Sequence, residues 1–363
     1  MRKIFLFLIL LCWFATSVCR PVDRESAQQV AANFWSAVVG ESENHRWNEL
    51  SSEFGFQQFY FFVREGSAGF VLVSADDCVQ PILGYSTKSL IPSTIPAHVS
   101  SFLQGYETDI AYCKAHQNMH TEEISSQWSS LLQGTYTMQN TTSVSPLLAT
   151  TWDQSPYYND LCPEQGGVHA LTGCVATALA QVMKYWNWPI NGVGSHSYQE
   201  ATYGTLSANF GTTTYNWSDM PVELTQYSTP AQVNAVATLM YHIGVAVEME
   251  YGEEASGAYL WVSGNSTIPC GENALKNYFR YKSTLHDVSR SSVSNNVWIS
   301  TLMSELNAGR PVLENGFGDE GGHTFVCDGY DGNGLFHINW GWGGYLNGYF
   351  AHNDLNPGGL GFN

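Results

Sequence analysis

Apolar positions change period several times along the chain, and each change marks an expected element. Over 26–39 they recur at helical spacing (Val30, Phe34, Ala37, Val38), whereas 59–63 and 69–74 are short aromatic and β-branched runs that predict strands. Residues 81–85 suggest a third strand. The stretch 96–117 predicts a helix with Val99, Phe102, Leu103, Tyr106 and Ile110 on one face. From 118 to 145 the chain is polar, rich in Ser, Thr and Gln and weakly periodic, which predicts a linker. The clearest helical pattern then runs from Thr172-Gly173-Cys174 to Trp186, with Val175, Leu179, Val182, Met183 and Trp186 on one stripe and Pro189 as the stop. Further helices are expected over 231–247 and 297–308. The last pattern is a hairpin, 324–330 and 335–340, around a turn at Asp331-Gly-Asn-Gly334. Helices first and strands last predict α+β architecture in this second segment, not a parallel α/β sheet.

At the N-terminus, Arg2 and Lys3 precede an apolar run over 4–15 and small residues Thr16 and Ser17, the pattern of a secretory signal peptide. The run is short for a membrane span, so an exported chain with no stable membrane association is expected. Residues 1–19 are assigned to the leader, 20–140 to an α+β unit and linker, and 141–363 to the larger unit. Composition narrows the partners. Apolar residues make up 44%, aromatic residues 14% and charged residues 13% of the 363 residues, so global disorder is excluded. Asp and Glu outnumber Lys and Arg 32 to 14, for a formal charge of -18, which argues against a nucleic-acid partner. Two cysteines, Cys12 and Cys19, lie in or beside the leader. Cys78, Cys113, Cys162, Cys174, Cys270 and Cys327 follow, in a spacing that selects no disulfide pattern.

Cys174 opens the clearest helix. Positive partial charge at a helix N-terminus stabilises a thiolate, and the preceding Gly173 permits close approach of a substrate backbone. The same cysteine also suits a small buried apolar position. A nucleophilic thiol needs a base and the base an orienting group. His323, after Gly321-Gly322, opens the first hairpin strand, and the turn places it opposite or nearly opposite Asn339. Asn339 would then hold one imidazole nitrogen while the other faces Cys174. The spacing equally suits two ordinary polar residues at strand ends. The Cys174 backbone N–H and the side chain of Gln154 are candidate oxyanion donors. His169 lies between Cys162 and Cys174, but the spacing matches no common zinc pattern, and neither a metal nor a cofactor is expected.

Four motifs stand in order: Trp152-Asp-Gln-Ser-Pro-Tyr157; Thr172-Gly-Cys-Val-Ala-Thr177 with Gln181-Val-Met-Lys-Tyr185; Gly321-Gly-His-Thr-Phe-Val326 with Asp328-Gly-Tyr-Asp-Gly332; and Asn339-Trp-Gly-Trp-Gly-Gly344. In these the chain resembles the streptopain-like cysteine peptidases, over nearly all of 145–363. The resemblance implies a papain-like fold, with a helical subdomain and an antiparallel sheet subdomain, preceded by an α+β prodomain. It implies a Cys174–His323 dyad, Gln154 as oxyanion donor, Asn339 as orienter of the imidazole and Trp340 as a shield over the His–Asn hydrogen bond. Gly173, Gly322, Ser256, Gly257 and Ala258 would contribute to substrate binding. The implied product is a secreted zymogen. Its partners would be protein or peptide substrates and its own propeptide as intramolecular inhibitor, which covers the cleft and displaces the histidine until autocatalytic cleavage.

Two features depart from the family. The chain ends at Leu360-Gly-Phe-Asn363, where family members commonly continue through a further strand. It also carries five cysteines besides Cys174 after the leader, and a disulfide to Cys174 would block catalysis. Two other functions compete: a papain-fold amidase or transpeptidase with the same triad, and a non-enzymatic adhesion or carbohydrate-binding protein suggested by the 12 Trp and 20 Tyr.

Overall fold

A computed structural model describes residues 19–40, 45–116, 121–138, 142–263, 267–318 and 321–352. The expected leader, apart from Cys19, and the C-terminal residues 353–363 fall outside the described residues. The first unit contains α1 (Arg24–Val39), β1 (Trp47–Glu49), β2 (Phe59–Arg64), β3 (Phe70–Ser74), β4 (Ile82–Ser86), α2 (Ala97–Ala115) and α3 (Glu122–Leu132). Asp23 starts α1 by accepting from the Ser26 N–H at 2.8 Å, and Gly40 ends it in the left-handed conformation. Of the apolar stripe read from the sequence, Val30 and Phe34 are buried, together with Ala27, Ala31 and Trp35, whereas Ala37 and Val38 are half-buried.

The polar stretch read as a linker contains α3, which corrects that expectation. Thr121 caps it, Glu122 and Glu123 complement the positive end, and Trp128 and Leu131 are buried, with Trp128 Nε1 donating to the Val79 carbonyl at 2.8 Å. Two anchors in a Ser/Gln-rich helix are too sparse a stripe to stand out from a linker.

The second unit begins with two short strands, β5 (Glu164–Gln165) and β6 (Val168–His169), before α4 (Cys174–Trp186). A hairpin of β7 (Ser195–Glu200) and β8 (Gly204–Asn209) follows, then α5 (Pro230–Ala246), α6 (Gly271–Asn277) and α7 (Asn295–Asn307). The chain continues through β9 (Val312–Gly318), β10 (Gly321–Tyr330), β11 (Leu335–Asn339) and β12 (Gly348–Ala351). The helices over 174–186, 231–247 and 297–308 and the late hairpin match the sequence reading to within a few residues. The strand before that hairpin and the strand after it had no assignment.

The two units share one antiparallel sheet in the order β1-β2-β3-β4-β12-β11-β10-β9. At the join, Tyr349 pairs with Tyr85 and Phe350 with Gly84. A Cβ on Gly84 would stand 2.8 Å from the Phe350 ring, so only glycine lets the two strands meet there. The Tyr85 and Tyr349 rings stack at 5.1 Å, and the Tyr106 hydroxyl of α2 reaches the Leu83 and Ala351 carbonyls at 3.1 and 2.8 Å. The core follows the sheet: Phe34, Phe70 and Phe102 of the first unit cluster with Phe325, Trp340 and Phe350 of the second. A separate core unites α4, α5, α6 and the β7–β8 hairpin. Between them, Ala178 and Val182 of α4 pack on Val326 of β10. The site therefore lies where α4 meets β10.

The disulfide pattern also differs from the sequence reading. Cys19, counted beside the leader, is bonded to Cys78, which ties it to the first unit. Cys162, Cys270 and Cys327 are buried free thiols, Cys174 is a half-buried free thiol, and Cys113 is buried.

Candidate active site

Gly173 precedes α4 with φ +85°, and a Cβ there would lie 2.7 Å from the Met249 thioether and 3.1 Å from the Ser256 carbonyl. Glycine is thus required by both conformation and space. Thr177 secures the turn, its hydroxyl donating to the Gly173 carbonyl at 3.1 Å and meeting the Thr172 hydroxyl at 2.9 Å. This delivers the Cys174 thiol at the positive end of an apolar, buried helix. Burial nevertheless pushes the thiol up from its ordinary value, opposed by hydrogen bonds from the Thr324 backbone N–H and hydroxyl and from the Val175 N–H.

Thr324 is the group β10 turns toward Cys174. Side chains alternate along a strand, so His323 points to the other face. There it is 1% exposed, its ring 4.7 Å from that of His98 on α2 at an interplanar angle of 6°, with Trp342 on the same cluster at 6.0 Å. Burial, then the neighbouring His98, pushes the imidazole down to about 3. Among the described residues no hydrogen bond joins Cys174 to His323. Thiol and imidazole are both held neutral, the reverse of a thiolate–imidazolium pair.

The orienting contact also differs from the expectation. In the hairpin Asn339 pairs with Val326, and a bulge lies between Cys327 and Gly329. His323 therefore falls beyond Asn339 instead of opposite it, and its Nε2 meets the Trp340 backbone carbonyl at 2.9 Å. Asn339 turns inward: its Nδ2 donates to the Thr150 carbonyl at 2.8 Å, and its Oδ1 accepts from Gln181 Nε2 and the Gly341 N–H, each at 3.1 Å. The turn sets a register in which Tyr330 pairs with Phe336, and the bulge shifts it by only one residue toward His323, too little to bring Asn339 opposite the histidine. The Trp340 ring is fully buried, its Nε1 donating to the Leu346 carbonyl at 3.1 Å, and it lies 6.4 Å from the His323 ring.

Gln154 is buried, and its carbonyl accepts from the Thr172 N–H at 3.4 Å, which sets its loop beside the start of α4. Asp153 accepts from the Gln154 N–H at 2.7 Å, and burial raises its carboxyl to about 6. Ser256 closes the wall next to Gly173, its hydroxyl donating to the Leu171 carbonyl at 2.8 Å. Gly257 bridges to Glu250, and Ala258 packs on the helical core. Gly322 is exposed at the start of β10, with space that a Cβ would fill only 3.0 Å from Phe317. The structure thus brings Cys174, Gly173, Gln154 and Ser256 together and keeps His323 apart. His98 and Thr324 were missed by sequence reasoning. Alternation in the run from His323 to Val326 was the available signal for Thr324. His169 contacts the Cys162 carbonyl and Glu164.

The site thus combines a cysteine at a helix start, a histidine held by a backbone carbonyl and a buried glutamine on the neighbouring loop, with an N-terminal unit packed over the histidine. Residues 152–350 match the Peptidase C10 family, and residues 19–110 match the Spi protease inhibitor family. The chain belongs to the Peptidase C10 family. It is 34% identical to the thiol protease/hemagglutinin PrtT of Porphyromonas gingivalis over 99% of its own length and 42% of that protein, so it spans less than half of this relative. It is 35% identical to a streptopain of Streptococcus pyogenes over 81% of this chain and 74% of that one. Among solved structures, a prointerpain A fragment of Prevotella intermedia aligns with TM-score 0.68 and 31% identity, over 87% of this chain and 95% of that one. Active interpain A aligns with TM-score 0.53 and 40% identity, over 60% and 89%.

Proposed function

We propose that the chain is the exported, latent precursor of a cysteine endopeptidase that hydrolyses protein substrates through Cys174. The observation that carries the reading is the separation of the two reacting groups: Cys174 faces Thr324 while His323 is stacked on His98 of the inhibitor-like unit. Removing that unit takes away α2, lets water and substrate reach the histidine, and allows its ring to turn toward the thiol. His323 then takes the thiol proton, and the thiolate attacks the scissile carbonyl. The Cys174 N–H and the Gln154 amide receive the negative charge on the oxygen. The imidazolium returns its proton to the leaving amine, giving an acyl-enzyme, which a water activated by the same histidine hydrolyses.

In this reading residues 20–140 form the prosegment and 141–363 the peptidase unit, with Gly173, Gly322, Ser256, Gly257 and Ala258 around the substrate backbone. The disulfide at Cys19 supports a leader that ends before it. Val144 bridges to Tyr330, and the Leu147 N–H donates to the Asp328 carbonyl at 2.9 Å. These contacts favour a cut on the N-terminal side of Val144, leaving that segment with the enzyme.

The test is expression of the full chain beside Cys174→Ala, followed by gel and N-terminal sequencing. The parent chain should lose its prosegment with a new N-terminus before Val144, and Cys174→Ala should remain full length. Identical processing of both would overturn the proposal.

A further inference from the structure

Behind the site lies a buried amide pair that touches the segments carrying Cys174 and Gln154 and the turn that holds His323. Gln181 sits on α4 on the same stripe as Cys174, two turns further on, and is fully buried. Its carbonyl oxygen accepts from the Thr150 hydroxyl at 3.0 Å, and from the Trp152 N–H and Asn339 Nδ2 at 3.2 Å each. Its Nε2 donates to Asn339 Oδ1 at 3.1 Å. Asn339 passes the link on to the Thr150 carbonyl and the Gly341 N–H. Gly341 has φ +74°, and a Cβ on it would stand 3.2 Å from Thr177 and 3.9 Å from Gln181 Nε2, so the turn is seated closely on α4. Three segments therefore converge on one side chain. They are α4 with Cys174, the 150–154 segment leading to Gln154, and the 339–341 turn whose middle carbonyl holds His323. All of these partners belong to the larger unit, so the network does not depend on the prosegment.

We propose that Gln181 is a positioning residue that sets the nucleophile, the oxyanion donor and the histidine-holding carbonyl in one register, acting through Asn339 and touching no reacting atom. The inference rests on the cysteine peptidase reading. Its physical basis is that a satisfied buried network holds its members rigidly, whereas removing one partner leaves the others unpaired and free to shift. A misplacement of ~1 Å costs on the order of 100-fold in rate. A side chain that only stabilised the fold would leave the turnover of the folded enzyme unchanged.

The experiment compares the parent chain with Gln181→Met and Gln181→Glu. Each is matured in trans by a trace of tagged parent enzyme that is then removed, and thermal melting checks folding. In Gln181→Met we expect kcat to fall about 10- to 100-fold with KM within about twofold. In Gln181→Glu the ionised carboxylate opposes Asn339 Oδ1, whereas the protonated acid donates to it. Its kcat relative to the parent should therefore recover as pH falls, and Gln181→Met should show no such recovery. If Gln181→Met does not fold, Gln181→Glu decides alone by its pH profile. A folded Gln181→Met with kcat within twofold of the parent, or a Gln181→Glu profile parallel to the parent's, overturns the positioning role. Absence of thiol-dependent turnover in the parent itself would overturn the peptidase reading, and this inference with it.

Discussion

His323 carries the latency at the scale of single residues. A free imidazole titrates near ~6.5, but this one, buried and stacked on His98, is pushed down to about 3. The closed arrangement binds fewer protons than the open one between these values. Its contribution to stability is therefore fully present above about 6.5 and is lost as pH falls toward 3. Among the described residues, the titratable neighbour of this imidazole is that of His98; the other partners are the Trp340 carbonyl and the rings of Phe325, Trp340 and Trp342. In a Cys174→Ala background, the thermal midpoint should drop between about pH 7 and pH 5, and drop less when His323 is also changed to Phe. Equal drops in the two chains would rule out this role for the histidine. The place of Cys174 at a helix start was legible from sequence, because the helical periodicity begins there behind a glycine. The partner of the imidazole was not. It is a backbone carbonyl, which no residue type announces, and the turn sets a register in which Asn339 faces Val326 and not His323.

Between elements, latency depends on how β4 and α2 attach to β12. Among the described residues two residue pairs join the strands, so the side chains across the join matter. The Tyr106 hydroxyl is buried and spans the Leu83 and Ala351 carbonyls, one from each unit. Tyr106→Phe keeps the ring packing against Phe59 and Phe102 and removes that link, at a cost of about 1–2 kcal/mol. The full-length chain should melt lower and shed its prosegment faster, read by calorimetry and by a gel time course. An unchanged midpoint and rate would show that the join does not limit release. Elements with dense apolar stripes, α1, α2, α4 and α5, were readable from their spacing. In α3 only Trp128 and Leu131 are buried, and β7–β8 alternates mostly polar residues, so neither stands out by pattern.

For the whole molecule, the division into two units is a division of sequence more than of core. The α+β class followed from the order of helices and strands, but the shared eight-stranded sheet did not, because β4 and β12 are brought together from opposite ends of the chain. In the proposed precursor, a first unit built into the shared sheet, and closed at its N-terminal end by the Cys19–Cys78 disulfide, would inhibit by holding His323 away from Cys174. The first unit matches an inhibitor family and the second a peptidase family, in keeping with that arrangement. The most direct measurement is labelling with a thiol-directed epoxide, followed by peptide mapping, before and after the prosegment is removed. The account expects Cys174 to take the label rapidly in the processed enzyme and slowly in the full-length precursor, with Cys113, Cys162, Cys270 and Cys327 protected in both. Equal labelling of Cys174 in the two forms, or none in either, would contradict it.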